Sequence, residues 1–506
     1  MRKNTLDFLK EYFPLIISLF ILSTISIIHI FTNDLWIDES SSLITTEVSL
    51  LKVIQQALIW EEQAPLYYFI LGIWRLISTN YMFARFLSLI FMLLSVVKIY
   101  MIIKQYEKSK LLLTLFLLFI SINHNAIYSA VNIRYYSLTI FICVILICQF
   151  LKYYVSDIKP DLKEKIFFSI VATISILTQY YIGFLLLAIG GVILIHKGFK
   201  DFFRYCILMI LPITVIILQC IIIFSQVETY LAYNMQGSGV LGMFKFILVK
   251  IEDNLVAFNS FPDVRWLRYL IRIVYVFVLV TAFINRGKIR HEAKYLIFLL
   301  VIMFIPLSVL YFTMGDDFIC FRHTMFLYFP IILLFFFVIK PLNFNLKIII
   351  LSFILAMNVL SEYQYISKPN VVKELNSFLC EVENENEPIF VYPNEQKLNL
   401  HYQYSGVNEL FGVPFNIDCS GGYKINHWVI RDSNQLDSMF INSLTKATSN
   451  FYVVIEDHFT FMNIDFKFNY FLKYLNKSFI CDFDTSINNY RVLKLSIPVE
   501  KIASSL

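Results

Sequence analysis

Charge is scarce in this chain: Asp, Glu, Lys and Arg make up 16% of its 506 residues, well below the share in soluble domains. With 58% hydrophobic residues and a mean hydropathy of +0.67, that scarcity excludes an ordinary water-soluble fold. Cysteine is thin as well. The eight present form no CxxC or CxxH pair, so no metal site is signalled. Fixed-period repeats, collagen-like tracts, Ser/Gly-rich linkers and nucleotide-binding loops are all missing. The basic start Met1–Lys10 leads into an apolar core, Phe13–Phe31, that is too long for a signal peptide and lacks a small-residue cleavage site, so a retained first span is expected.

What is present is apolar length. The loops between apolar segments carry Lys and Arg in a regular series: Arg2/Lys3/Lys10, Lys104/Lys108/Lys110, Lys159/Lys163/Lys165, Lys197/Lys200/Arg204, Arg286/Lys288/Arg290/Lys294 and Lys340/Lys347. The positive-inside rule assigns all of them to the cytoplasm, so the chain crosses an even number of times between successive members. Three apolar stretches separate the first two loops, and one of them cannot span. Pro65–Ile77, short and carrying Trp74 and Arg75, is expected to lie at the outer surface. The first outer loop then runs from Thr32 to about Arg85. The same parity splits Ile166–Ile195 at Thr178-Gln179-Tyr180-Tyr181.

The other expected spans are Phe86–Ile103, Leu111–Ile127, Ser137–Val155, Tyr205–Phe224, Leu270–Ile284, Tyr295–Phe312, Thr324–Ile339 and Ile348–Leu360. The fold class is therefore an α-helical polytopic membrane protein of about eleven spans with a large first outer loop, its N-terminus inside and its C-terminus outside. Residues 1–364 form the membrane domain. Residues 365–506 form a small outer α/β domain, with strand-length runs at Pro388–Tyr392 and Phe451–Ile455 and helical patterns at Val371–Val382 and Gln435–Leu444. That tail holds 12 Lys and Arg against 16 Asp and Glu, so no nucleic-acid partner is indicated. Cys320, Cys380, Cys419 and Cys481 fall in segments assigned to the outside, where a disulfide is chemically permitted.

The outer face gathers Asp34, Asp38, Glu39, Glu61, Glu62, Arg134, Asp316, Asp317, Arg322 and His323 near span ends, and ionisable groups at such depths are functional candidates. Asp38-Glu39 precedes an amphipathic stretch, Ser41–Trp60, with Ile44, Val48, Leu51 and Leu58 on one face. The pair reads equally as a helix cap. Arg134 suits bidentate phosphate binding and equally suits a snorkelling interfacial Arg among tyrosines. The same two readings apply to Arg322-His323. Glu61-Glu62 opens a Pro-started helix and is also read as a solvated acidic entry. Tyr180, Tyr181 and Trp36 read as belt aromatics, with stacking on a sugar ring as the alternative. His29 and His196 read as ordinary span-end residues.

Taken in order, Leu35-Trp-Ile-Asp-Glu39, Pro65-Leu-Tyr-Tyr68, Arg85-Phe-Leu-Ser88, Tyr128-Ser-Ala-Val-Asn-Ile-Arg-Tyr-Tyr136 and the break at Gln179-Tyr180 resemble a known family. It is the GT-C superfamily of membrane glycosyltransferases, in particular the protein mannosyltransferase and aminoarabinose transferase (RgtA/B/C/D-like) group. The resemblance covers roughly Leu6–Leu360. It departs where many relatives have His-Pro-Pro-Leu and this chain has Gln63-Ala-Pro-Leu66, and where relatives have His at the break and this chain has Gln179.

The resemblance implies an inverting transferase that moves a sugar from a polyprenyl-phosphate donor to a glycan, lipid or protein acceptor outside the membrane. Asp38 would be the general base and Glu39 its orienting partner. Arg134 and Arg322 would hold the lipid phosphate, with Glu61, Glu62, Arg85, Tyr135 and Tyr180 also contacting substrate. No redox cofactor is required, and a divalent cation on Asp38 stays an alternative. Two rival functions are a transporter or flippase for lipid-linked sugars and a non-catalytic glycan-binding membrane protein.

Overall fold

A computed structural model describes residues 2–156, 158–224, 239–257, 265–285, 287, 290–314, 321–366, 370–415, 430, 432–444, 450–456 and 465–498. The chain packs as two units, one of residues 1–31 and 50–368, the other of residues 32–49 and 369–506.

In chain order the helices up to the C-terminal region are α1 Arg2–Thr32, α2 Ile37–Thr45, α3 Leu50–Ile59, α4 Leu66–Arg75, α5 Tyr81–Tyr106, α6 Lys110–Ile122, α7 His124–Val131, α8 Tyr136–Phe150, α9 Leu162–Thr178, α10 Ile182–Lys197, α11 Phe199–Leu208, α12 Ile210–Phe224, α13 Gly239–Leu255, α14 Arg265–Ile284, α15 His291–Met314, α16 Tyr328–Ile339 and α17 Phe344–Ile366. All but α2 belong to the first unit.

Among the described residues six stretches are long and apolar enough to cross a membrane. They lie in α1, α5, α8 with its π-helical extension Leu151–Val155, α15, α16 with the 3₁₀ turn Phe321–Leu327 before it, and α17. Two bent pairs, α6/α7 at 51° and α11/α12 at 55°, raise the number to eight. The expected eleven would require α9, α10 and α14 as well, but the first two have only 17 and 16 residues, and α14 carries Arg265, Arg268 and Arg272. The expected spans Leu111–Ile127 and Tyr205–Phe224 each contain one of these bends. The first bend is built by Asn123, whose side chain accepts from Asn125 N at 3.0 Å and starts a new helix. α13 has no counterpart in the sequence reading.

Small residues set how closely these helices approach. A side chain at Gly190 of α10 would meet the Tyr205 ring of α11 at 3.0 Å, and one at Gly191 would meet Ile302 of α15 at 3.0 Å. The Ser41–Trp60 stretch is not one amphipathic helix. It breaks between α2 and α3, the two halves belong to different units, and Leu51 is 84% exposed while Val53, Ala57 and Leu58 form the buried face.

The second unit contains α18 Val371–Val382, β1 Ile389–Tyr392, α19 Asn394–Gln403, β2 Leu410–Gly412, α20 Ser433–Ser443, β3 Asn450–Ile455, α21 Phe468–Ser478, β4 Ile480–Ile487 and β5 Tyr490–Ser496. The sheet order is β2-β1-β3-β5-β4, with β1 parallel to β2 and β3, and β5 antiparallel to β3 and β4. Successive strand residues alternate between faces. Phe390, Tyr392, Val453 and Ile455 enter one apolar cluster, and Ile389, Val391, Tyr452 and Val454 enter the other. Both faces of β1 and β3 are covered, which is why their sequences read as unbroken apolar runs.

Residues 32–49 are tied into this unit through polar contacts. α2 packs on α19, with Ser40 Oγ donating to Asn399 Oδ1 at 2.9 Å. Leu35 N donates to Gln403 Oε1 at 3.2 Å and Tyr402 Oη donates to Glu47 Oε1 at 2.8 Å. Asp34, a candidate on sequence grounds, accepts the Val372 N–H at 2.9 Å and so caps α18 from outside that helix. Cys380 and Cys481 are free, exposed thiols; Cys320 and Cys419 lie outside the described residues.

Candidate functional site

Within the first unit, three of the sequence motifs meet. The α3–α4 connection carries Glu61 and Glu62, and the α7–α8 connection carries Arg134 and Tyr135. Arg134 Nη1 donates to Glu61 Oε2 at 2.9 Å, with the two side chains 6% and 7% exposed. Tyr68 of α4, fully buried, donates its hydroxyl to the same carboxylate oxygen at 3.0 Å. The guanidinium also lies 5.9 Å from the Tyr68 ring centroid and 5.6 Å from that of Tyr135, within cation–π range.

The other motif residues hold this arrangement in place. Ser88 Oγ of α5 donates to Asn132 O at 2.6 Å, two residues before Arg134, and shares a 3.2 Å hydrogen bond with the Tyr67 hydroxyl. The Pro-Leu-Tyr-Tyr and Arg-x-x-Ser segments therefore fix the turn that presents Arg134. Glu62 adopts φ +52°, a left-handed conformation that costs a non-glycine residue roughly 1–3 kcal/mol and clusters at functional sites. Burial pushes its carboxyl above the usual range.

Gln179 and Tyr180 occupy the break between α9 and α10. The Tyr180 hydroxyl is buried without a hydrogen-bond partner. Burial first, and then Cys220, Tyr135 and Glu62 close by, oppose its ionisation, so it remains a proton donor near the Glu61–Arg134 pair. Gln179 Nε2 donates to His323 O at 3.5 Å, and the His323 ring stacks on Tyr181 at 5.3 Å. Arg322, half-buried in the 3₁₀ turn before α16, thus belongs beside the same break.

The remaining candidates make other contacts or belong to the other unit. Arg85, 2% exposed, donates to Ile30 O at 3.1 Å and lies over the Tyr81 ring, serving the end of α1. Asp38 and Glu39 belong to the second unit, in the first turn of α2. Asp38 is half-buried; Glu39 is 1% exposed and its Oε2 accepts the Trp36 N–H at 3.4 Å, closing its own helix start. Asp316 and Asp317 lie outside the described residues.

Sequence reasoning missed a second polar cluster in the first unit. Glu362 of α17 contacts His29 Nε2 at 3.3 Å and His124 Nδ1 at 2.8 Å, and both imidazoles pack near the Tyr365 ring. His29, read as an ordinary span-end residue, is fully buried. Asn358, one turn earlier on α17, bonds to Asn123. A lone Glu in an apolar run was the available signal. Among the described residues no group of three His, Cys, Asp or Glu is placed to hold a metal ion.

The architecture is that of a polytopic helical membrane protein carrying a small mixed-sheet unit, with a buried Arg–carboxylate–tyrosine cluster at the helix ends of the membrane part. Neither a protein-family model nor a curated protein sequence matches the chain. Among solved structures it is similar to the crystal structure of ArnT from Cupriavidus metallidurans bound to undecaprenyl phosphate, with 10% sequence identity, a TM-score of 0.59, and 95% of this chain and 97% of that one covered. The crystal structure of the same protein in the apo state aligns over the same shares of both chains at 10% identity with a TM-score of 0.53. The fold is therefore like that of ArnT, and at this identity the likeness speaks for the fold alone.

Proposed function

We propose that the protein is an inverting glycosyltransferase of the cell membrane, taking a sugar from a polyprenyl-phosphate carrier and passing it to a cell-envelope acceptor on the outer face. The observation that carries this reading is the end-to-end likeness to a fold seen with undecaprenyl phosphate bound. The convergence of Glu61, Tyr68 and Arg134 within that fold, at positions matching the motif series, adds to it.

In the proposed reaction an acceptor hydroxyl oxygen bonds to the anomeric carbon as the bond from that carbon to the phosphate oxygen breaks. The transition state has oxocarbenium character, as in glycoside hydrolysis. The hydroxyl proton passes to a carboxylate, and the departing lipid phosphate keeps the bonding electron pair. Arg134 and Arg322 suit the phosphate, because a guanidinium pairs bidentately with its oxygens. Asp38 enters as the base from the motif resemblance alone, and Glu39 as its orienting partner.

Sugar transfer from radiolabelled polyprenyl-phosphate sugars in proteoliposomes tests the reading. Asp38→Asn is expected to lower turnover by roughly 10²- to 10⁴-fold, the usual contribution of a positioned general base, while carrier binding is kept. Unchanged turnover would remove Asp38 from the mechanism.

A further inference from the structure

α12 is apolar and largely exposed along its length: Ile213, Ile217, Leu218 and Ile221 are each half or more exposed, as suits a lipid-facing helix. Gln219 breaks the pattern. It is 4% exposed, and neither its amide oxygen nor its amide nitrogen has a hydrogen-bond partner. Its face of the helix is turned inward, because α12 packs on α9 and α3. α9 ends at Gln179-Tyr180, and α3 leads into Glu61-Glu62. Cys220, the next residue, lies within electrostatic reach of the Tyr180 hydroxyl.

Two further unmet groups occur at the same break. The Tyr180 hydroxyl has no partner, and the Gln179 side-chain oxygen has none either, although its amide nitrogen bonds His323 O. Buried polar groups are nearly always hydrogen-bonded, and an unmet one costs the full desolvation of that group. Gln219 on α12, and Gln179 and Tyr180 in the break after the helix on which α12 packs, each keep at least one unmet polar atom that a partner from outside the chain would satisfy. Their chemistry narrows what that partner is. Amides and a phenol are neutral and offer both donors and acceptors, which matches hydroxyl groups and gives no advantage to a phosphate.

We infer that Gln219, with Gln179 and Tyr180, forms a hydroxyl-reading subsite for the sugar carried on the lipid phosphate, separate in role from Arg134. This rests on the glycosyltransferase reading above and adds to it the residues that choose the sugar.

The test uses the full-length protein in nanodiscs. Binding of undecaprenyl phosphate is compared with binding of the same lipid carrying mannose, glucose or 4-amino-4-deoxyarabinose, for the native chain, Gln219→Leu and Tyr180→Phe. The expected result is that at least one sugar-bearing lipid binds the native chain tenfold or more tighter than the bare lipid, and that both variants lose that gain while holding the bare lipid unchanged. A site built to hydrogen-bond a hydroxyl discriminates strongly once its own polar group is removed.

Gln219→Leu should also melt at or above the native temperature in the absence of lipid, because it removes unmet polar atoms and keeps similar volume. Melting several degrees lower would mean that the amide has a partner within the protein, which overturns the inference. The inference also falls if sugar adds nothing to native binding, or if both variants keep the gain. Neither result touches the glycosyltransferase reading. A native chain that binds neither bare nor loaded lipid overturns that reading and the subsite with it.

Discussion

Glu61 Oε2 accepts from both Arg134 and Tyr68, so a single buried carboxylate oxygen organises the cluster. Removing the cation leaves that carboxylate buried without its guanidinium partner, and breaking a buried pair from one side costs roughly 3–5 kcal/mol. Arg134→Leu should therefore lower thermal stability sharply in detergent. Glu61→Gln combined with Arg134→Leu should restore most of it, since a neutral amide still accepts from Tyr68. A single variant as stable as the native chain would show that the pair is not buried as described. At this scale the sequence was half legible. Arg134 stood out by type and position, but its choice of Glu61 over solvent depends on how three separate segments fold together, and local pattern does not carry that information. Gln219 was visible as a lone amide in an apolar run, yet only its missing partners give it a meaning.

α19 raises a question of a different kind. It begins directly after β1, and Glu395 in its first turn is 3% exposed, with one carboxylate oxygen lacking a partner. Burial pushes this carboxyl up to about 7, only partly opposed by a backbone hydrogen bond at the helix start. A folded-state value above the unfolded one means that the folded state binds the proton more tightly. The stabilisation is complete below the unfolded value near 4.5 and is lost as pH rises through 7. Between pH 4.5 and 8.5 the α19–β1 region should lose about 3 kcal/mol of local stability. Glu395→Gln should flatten that dependence. Hydrogen exchange of the β1 and α19 amides in the full chain at the two pH values reads it directly, and an equal slope in both proteins would contradict it. The elements themselves were largely legible: the Val371–Val382 helix follows from its periodicity, and the parallel strands β1 and β3 follow from their short, unbroken apolar runs. The bend at Asn123 was not, because it interrupts an apolar run without a proline; the bend at Met209 falls just before Pro212, which removes a backbone N–H and crowds the Leu208 carbonyl, a signal the sequence reading passed over.

For the molecule as a whole, charge placement said more than residue identity. Parity between basic loops supplied an eleven-span scheme and set α4 aside from it, and α4 does form a ten-residue helix. Among the described residues, length and hydropathy alone support six to eight spans. The grouping of residues 32–49 with the C-terminal residues was beyond the sequence reading, because it depends on contacts such as Ser40 to Asn399 across some 359 positions. The orientation deduced from the basic loops makes its own prediction through two thiols. Cys380 and Cys481 are free and exposed in the second unit, and with the C-terminus outside they face the extracytoplasmic solution. A membrane-impermeant maleimide applied to intact spheroplasts should label the native chain, and the label should fall in the Cys380→Ser/Cys481→Ser variant. Both positions are exposed and neither is part of the buried clusters, so these substitutions leave the fold undisturbed. If the two thiols react only after the membrane is permeabilised, the chain is inserted the other way up, and the assignment of its basic loops to the cytoplasm is reversed.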